Sequence, residues 1–148
     1  MILSRRLKLY PPNQKKLMEL TKETDRFVRC TNYWIRRIRD EETISLKLLQ
    51  EKYYLKARKM SGLSGVLTQN SQQFAIKIAR TSKRRAKESP LLKSRILLSN
   101  EFKVDGSNLG ITFGRGRFWI PFRSQDIRVG RILTSSLKET NGNWYCNL

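Results

Sequence analysis

The residues best suited to chemistry lie in one run, 69–87, QNSQQFAIKIARTSKRRAK. Its front turns carry the amides Gln69, Asn70, Gln72 and Gln73. Behind them come Lys77, Arg80, Lys83, Arg84, Arg85 and Lys87, with no acid between. Amides can pair bidentately with adenine in a major groove, and cations hold a phosphate backbone. Phe74, Ala75, Ile78 and Ala79 recur at helical spacing, so the run reads as one helix able both to position and to read a nucleic acid. The plain alternative is a solvated basic helix with Asn70 as an ordinary N-cap.

The acids offer no comparable constellation. Glu19, Glu23, Asp25, Asp40, Glu41, Glu42, Glu51 and Glu88 fall mostly on helical faces beside cations, and Asp126 and Glu139 fall among turns. Two-metal phosphodiester cleavage needs several convergent carboxylates. With no histidine and no G-x-x-x-x-G-K, neither general-base nor nucleotide-loop chemistry is indicated. Cys30 and Cys146 are far apart with no C-x-x-C, which argues against zinc and fits small core residues in a reducing cytoplasm. The expectation is a binding protein, not an enzyme, with no metal and no cofactor.

Several elements must position that helix. Residues 2–9 alternate, with Leu3, Leu7 and Leu9 facing inward and Arg6 and Lys8 outward, so Lys8 joins the candidate nucleic-acid contacts. Tyr10-Pro11-Pro12 ends that strand, and Asn13 can cap a helix running to about Arg39 through Leu17, Leu20, Thr24, Phe27, Thr31, Trp34 and Ile38. Asp40 to Thr43 reads as an acidic turn. A second helix spans about 44–59 through Ile44, Leu48, Leu49 and Leu55. Near its end, Tyr53 and Tyr54 could stack on a base, or pack on the neighbouring helix. Ser61-Gly62-Leu63-Ser64-Gly65 reads as a flexible connection before the third helix.

After Pro90 the period turns to alternation. Ile96 and Leu98 start it, Phe102 and Val104 follow, and a turn falls at Asp105-Gly106 before Leu109, Ile111 and Phe113. Gly114-Arg115-Gly116-Arg117 signals a hairpin leading into Phe118–Pro121, and Ile127, Val129, Ile132 and Leu133 suggest another strand. Asn141-Gly142 is the strongest hairpin signal, joining Leu137 to Trp144-Tyr145-Cys146. Arg115 and Arg117 could meet a ligand at the hairpin tip, or form a soluble turn. Of Phe118 and Trp119 one should be core and the other an outward stacking surface, and Trp119 is a candidate contact; Trp34 and Trp144 are assigned to the core. The order is strand, three helices, then about five strands. The expected fold class is α+β: a small antiparallel oligonucleotide-binding-type β-barrel (residues 1–11 and 90–148) interrupted by a three-helix insertion at 12–89, with the first strand pairing to the later ones.

Lys and Arg number 31 against 12 Asp and Glu among 148 residues, a net charge of +19. The excess is dispersed, +7 in residues 1–40, +7 in 41–92 and +5 in 93–148. Self-repulsion on this scale points to a polyanionic partner. No apolar run approaches the ~18 residues of a membrane span, and MILSRRLKLYPP lacks the apolar region of a signal peptide.

The opening LKLYPPNQKKLMELTKETDRFVRCTNYWIRR, the Ser71, Gln72, Ala75, Ala79 spacing, and the tail of Gly-Arg-Gly-Arg, Phe118–Pro121 and Gly-Asn-Trp-Tyr together resemble the transposon-encoded TnpB proteins, relatives of the type V CRISPR effectors. The resemblance spans essentially the whole chain. It implies a wedge domain, an oligonucleotide-binding-type barrel, interrupted by a helical recognition domain. It also implies a structured guide RNA and a short motif in target DNA as partners, base pairing reading the longer sequence. The nuclease domain and zinc ribbon that follow in that family have no counterpart before Leu148. The expected function is therefore a guide-RNA-binding, nuclease-lacking module of an RNA-guided DNA-targeting system. It would be cytoplasmic and nucleoid-associated, acting alone, with a second copy, or with a separate nuclease-domain chain. The alternative is a non-specific nucleic-acid-binding protein, or an inhibitor mimicking the nuclease's N-terminal half.

Overall fold

A computed structural model describes residues 6–81, 88–99, 102–105, 108–113, 116–122 and 135–147. The order of elements is β1 (Arg6–Lys8), α1 (Gln14–Glu41), α2 (Leu46–Ser61), α3 (Gly65–Thr81), β2 (Ile96–Ser99), β3 (Lys103–Asp105), β4 (Asn108–Phe113), β5 (Gly116–Pro121), β6 (Ser135–Thr140) and β7 (Asn143–Asn147). The fold is α+β, with every strand pairing antiparallel. It divides into two compact units, one of residues 1–24 and 94–148 and one of residues 25–93.

The strands form a four-stranded sheet ordered β1-β7-β6-β2 and a three-stranded sheet ordered β3-β4-β5. The first strand does pair with the last, Leu7 lying opposite Cys146. Alternation then builds a core row across all four strands: Leu7, Cys146, Leu137 and Leu97 lie side by side and are all buried. The inward residue of β2 is thus Leu97. The alternation expected from Ile96 and Leu98 is inverted, because pairing with β6 sets Leu97 opposite Leu137. Asn141 and Gly142 both adopt positive φ, 52° and 81°, as a two-residue type I′ turn between β6 and β7 requires.

The expected closed barrel is not what the hydrogen bonds form. The two sheets meet at an isolated bridge, Leu9 to Phe122. There Leu9 N donates to Trp144 O at 3.0 Å and Tyr10 N to Pro121 O at 2.9 Å. Among the described residues β2 and β3 have partners on different strands and do not pair with each other, so no single ladder runs around a ring. The strand expected through Ile127, Val129, Ile132 and Leu133 lies outside the described residues.

Asn13 caps α1, its side-chain oxygen accepting from Lys16 N at 2.9 Å. Leu20, Phe27, Trp34 and Ile38 are buried, mostly a turn or two apart. Thr24 and Thr31 fill the gaps without an orphaned hydroxyl: each donates to the carbonyl four residues back, at 2.8 Å. Leu17, expected in this stripe, is instead exposed. The helix continues past Arg39 to Glu41, the Arg37–Asp40 pair at 3.2 Å bracing its last turn, and Glu42 at φ 49° ends it.

Ser45 caps α2 and Gly62 closes it at φ 70°, its N–H bonding to Arg58 O. Ser64 then caps α3: its hydroxyl accepts from Leu67 N at 3.3 Å and its carbonyl from Thr68 N at 2.9 Å. The third helix therefore starts at Gly65, one turn before the expected start, and Asn70 lies within it, so it is not the N-cap.

Both cysteines are free and buried. Burial pushes the Cys146 thiol up to about 12, and burial also raises Cys30, offset in part by hydrogen bonds from Ser71 and Ser61. At pH 8 Cys146 is therefore held as the unreactive thiol. Neither cysteine should react with a disulfide reagent at pH 8 until the chain is unfolded by denaturant. Stoichiometric labelling of the native protein within minutes would contradict this packing.

Candidate nucleic-acid interface

α3 sorts the sequence candidates by face. Gln69, Gln73, Lys77 and Arg80 are all exposed and follow one another at helical spacing, so they form a single outward stripe. At 1.5 Å per residue the stripe is roughly 16 Å long, two amides leading and two cations trailing. Thr68, Ser71, Gln72, Ala75, Ile76 and Ala79 form the buried face. Ile78, expected in the apolar stripe, is only half-buried, and Ile76 takes its place.

Gln72 is therefore not a reader. It is 1% exposed, and its amide donates to Leu46 O at 3.1 Å, tying α3 to the start of α2. Asn70 is half-buried between the two faces. Lys83, Arg84 and Arg85, expected to extend the cationic end, lie outside the described residues.

Tyr53 and Tyr54 are half-buried and make contacts within the helical unit, the packing alternative of those expected for them. Tyr53 donates to Glu41 Oε1 at 2.5 Å and meets Tyr33 edge to face, ring centroids 6.4 Å apart. The Arg37 guanidinium lies 5.1 Å from the Tyr33 ring and 5.5 Å from the Tyr53 ring. Lys52 also reaches Glu41, at 3.1 Å. The Tyr53 hydrogen bond, then that of Lys52, holds the Glu41 carboxyl below its ordinary range, and the bond to Glu41 raises the Tyr53 hydroxyl. Tyr54 packs over the first turn of α3. A Cβ built on Gly65 would come within 3.2 Å of its hydroxyl, so the glycine makes room for it.

On the strands, Lys8 is half-buried in β1, opposite Tyr145. Trp119 is 38% exposed opposite Gly110, whereas Ile120, opposite Leu109, is buried, so Trp119 lies on the outward side of β5. Its carbonyl accepts from Lys16 Nζ at 2.6 Å. Arg117 sits in β5 opposite Thr112, and Arg115 lies outside the described residues. Trp34 and Trp144 are buried, as expected.

Three residues that the sequence reading did not single out, Arg6, Lys138 and Tyr145, come together with Lys8 on one face of the four-stranded sheet. Register sets Lys8, Tyr145 and Lys138 side by side on β1, β7 and β6, and the Arg6 guanidinium lies 3.9 Å over the Tyr145 ring. Their charge was legible, but the pairing that gathers them joins residues over a hundred positions apart.

Among the described residues no three His, Cys, Asp or Glu side chains come together as a metal site would require, and no helix is long and apolar enough to cross a membrane. No protein-family model matches the chain, and no curated protein matches it either.

Proposed function

We propose that the chain is a guide-RNA-binding module of an RNA-guided DNA-targeting system, carrying a structured RNA and touching a short duplex motif through α3. The observation that carries this reading is the outward stripe Gln69, Gln73, Lys77 and Arg80. A major groove about 12 Å wide admits a helix, and amides there discriminate bases while cations anchor on phosphates. The dispersed charge of +19 and the motif resemblance to the TnpB proteins support it further.

The two sheets are read as parts of one oligonucleotide-binding-type barrel. β2 and β3 are separated by residues 100–102 alone, one pairing with β6 and the other with β4. The Leu9–Phe122 bridge, where the two sheets meet, supports that reading. The module works with target DNA.

Purification from the native host followed by RNA sequencing tests the reading: one discrete RNA species is expected, and random cellular RNA would refute it. The dispersed charge also favours a second reading, sequence-tolerant nucleic-acid binding. Comparing one folded RNA with random RNA at two salt concentrations separates them, since pure phosphate binding favours neither and falls with salt for both.

A prediction specific to α3 concerns its two exposed amides. Changing Gln69 and Gln73 to Ala should relax motif preference in a randomised duplex library, by about 1–3 kcal/mol of discrimination for each bidentate pair removed. Affinity for RNA should change little. Replacing Gln72 should leave preference intact and lower the melting temperature instead, because it is buried on Leu46 O.

A further inference from the structure

The four-stranded sheet has two chemically opposite faces. One is the buried row of Leu7, Cys146, Leu137 and Leu97. One residue further along β1 and β6, and one back along β7, the opposite face carries Lys8, Tyr145 and Lys138 in a row, with Arg6, Asn147 and Ser136 in the next; on β2 the two rows end in the half-buried Ile96 and Leu98, so the polar part of this face spans β1, β7 and β6. Neighbouring strands are about 4.8 Å apart, so Lys8 and Lys138 flank Tyr145 with their backbones roughly 10 Å from each other.

None of the three cations on this face meets a carboxylate among the described residues. The acid on β6, Glu139, has the opposite strand parity and is taken up by Arg95 at 2.8 Å. Arg6 is already ordered: its guanidinium lies 3.9 Å over the Tyr145 ring. Stacking of this kind uses the flat face of a guanidinium and leaves its in-plane N–H donors for phosphate. In the same row as Arg6, Asn147 Nδ2 donates to Ser136 Oγ at 3.3 Å, setting an amide and a hydroxyl beside the cations.

We propose that this face binds a single-stranded segment of RNA. Lys8 and Lys138 hold backbone phosphates, and the Tyr145–Arg6 stack offers a plane to a base. Ser136 and Asn147 meet ribose 2′-hydroxyls. Stacking on aromatic rings and guanidinium planes, with 2′-hydroxyl contacts, is how unpaired RNA is distinguished from DNA. The inference rests on the RNA-binding reading above but uses a surface other than α3.

The test is fluorescence anisotropy of the full chain with a labelled twelve-nucleotide uridine RNA, the matching thymidine DNA, and one folded RNA, between 50 and 200 mM salt. Lys8→Gln with Lys138→Gln should weaken uridine binding about tenfold at the lower salt and reduce the log–log salt slope by about 1.4, at ~0.7 per contact. Tyr145→Leu should weaken it roughly tenfold with the slope unchanged. Lys8→Arg with Lys138→Arg should restore the parent slope, which a loss of folding could not do. If the parent binds the uridine strand and the glutamine and leucine variants bind it equally well, the face is idle and the proposal fails. Equal affinity for the thymidine strand overturns the assignment to RNA. Binding of folded RNA without the uridine strand overturns this proposal and leaves the broader function standing, whereas binding of neither overturns both.

Discussion

Trp34→Ala should unfold the helical unit well below the parent's melting temperature. Trp34 has no exposed surface, and it sits in α1 among Phe27, Cys30 and Ile38, all fully buried. Truncating a buried aromatic to Ala costs ~3–5 kcal/mol, a large part of the ~5–15 kcal/mol by which a domain is stable. For a unit of this size each kcal/mol shifts the midpoint by about 4–8 °C, so a fall of at least ~12 °C is expected in helical circular dichroism. The comparison with Trp34→Phe is informative. The indole Nε1 is buried with no acceptor stronger than the nearby Cys30 thiol, so its removal costs at most a weak hydrogen bond. Phenylalanine should therefore cost far less than alanine. A midpoint for Trp34→Ala within ~2 °C of the parent would mean that Trp34 is not core.

The same buried stripe marks how far the sequence could be read. Local signals with one physical meaning transferred well. Asn13 after two prolines capped α1, Asn141-Gly142 took the two positive φ values of its turn, and Leu7 on β1 and Leu9 just after it turned inward. Signals shared by several environments did not. Ile96, Leu97 and Leu98 form an apolar run whose parity the sequence leaves open, and only pairing with Leu137 decides it. The amides at the front of α3 look equivalent in sequence. Yet Ser64, read as loop, caps the helix, and packing of its buried face with the Gln72 bond to Leu46 O turns Gln72 inward and Gln69 and Gln73 outward. Whether Tyr53 stacks or packs stays open in the sequence because its carboxylate partner, Glu41, lies twelve positions away on another helix. The sheet face with Lys8, Tyr145 and Lys138 depends on register between distant strands, which composition and spacing cannot supply.

Charge reversal on α3, Lys77→Glu with Arg80→Glu, should abolish measurable duplex binding at moderate salt. Both residues are exposed at the trailing end of the stripe, so the helix should keep its packing through Ala75, Ile76 and Ala79. Removing two cations from the phosphate backbone of a duplex reduces the log–log salt slope by about 1.8, at ~0.9 per neutralised phosphate. The introduced carboxylates add repulsion that neutral substitutions would not, so a loss of roughly a hundredfold or more is expected near 100 mM salt. Lys77→Gln with Arg80→Gln should show the slope change with a smaller loss. The two pairs separate the roles assigned to the stripe: amide changes alter which sequence is preferred, and cation changes weaken every sequence alike. If reversal leaves duplex affinity and its salt dependence where they were, the outward face of α3 is merely solvated. The duplex-reading part of the proposed function then falls, while an RNA site on the sheet face could stand alone.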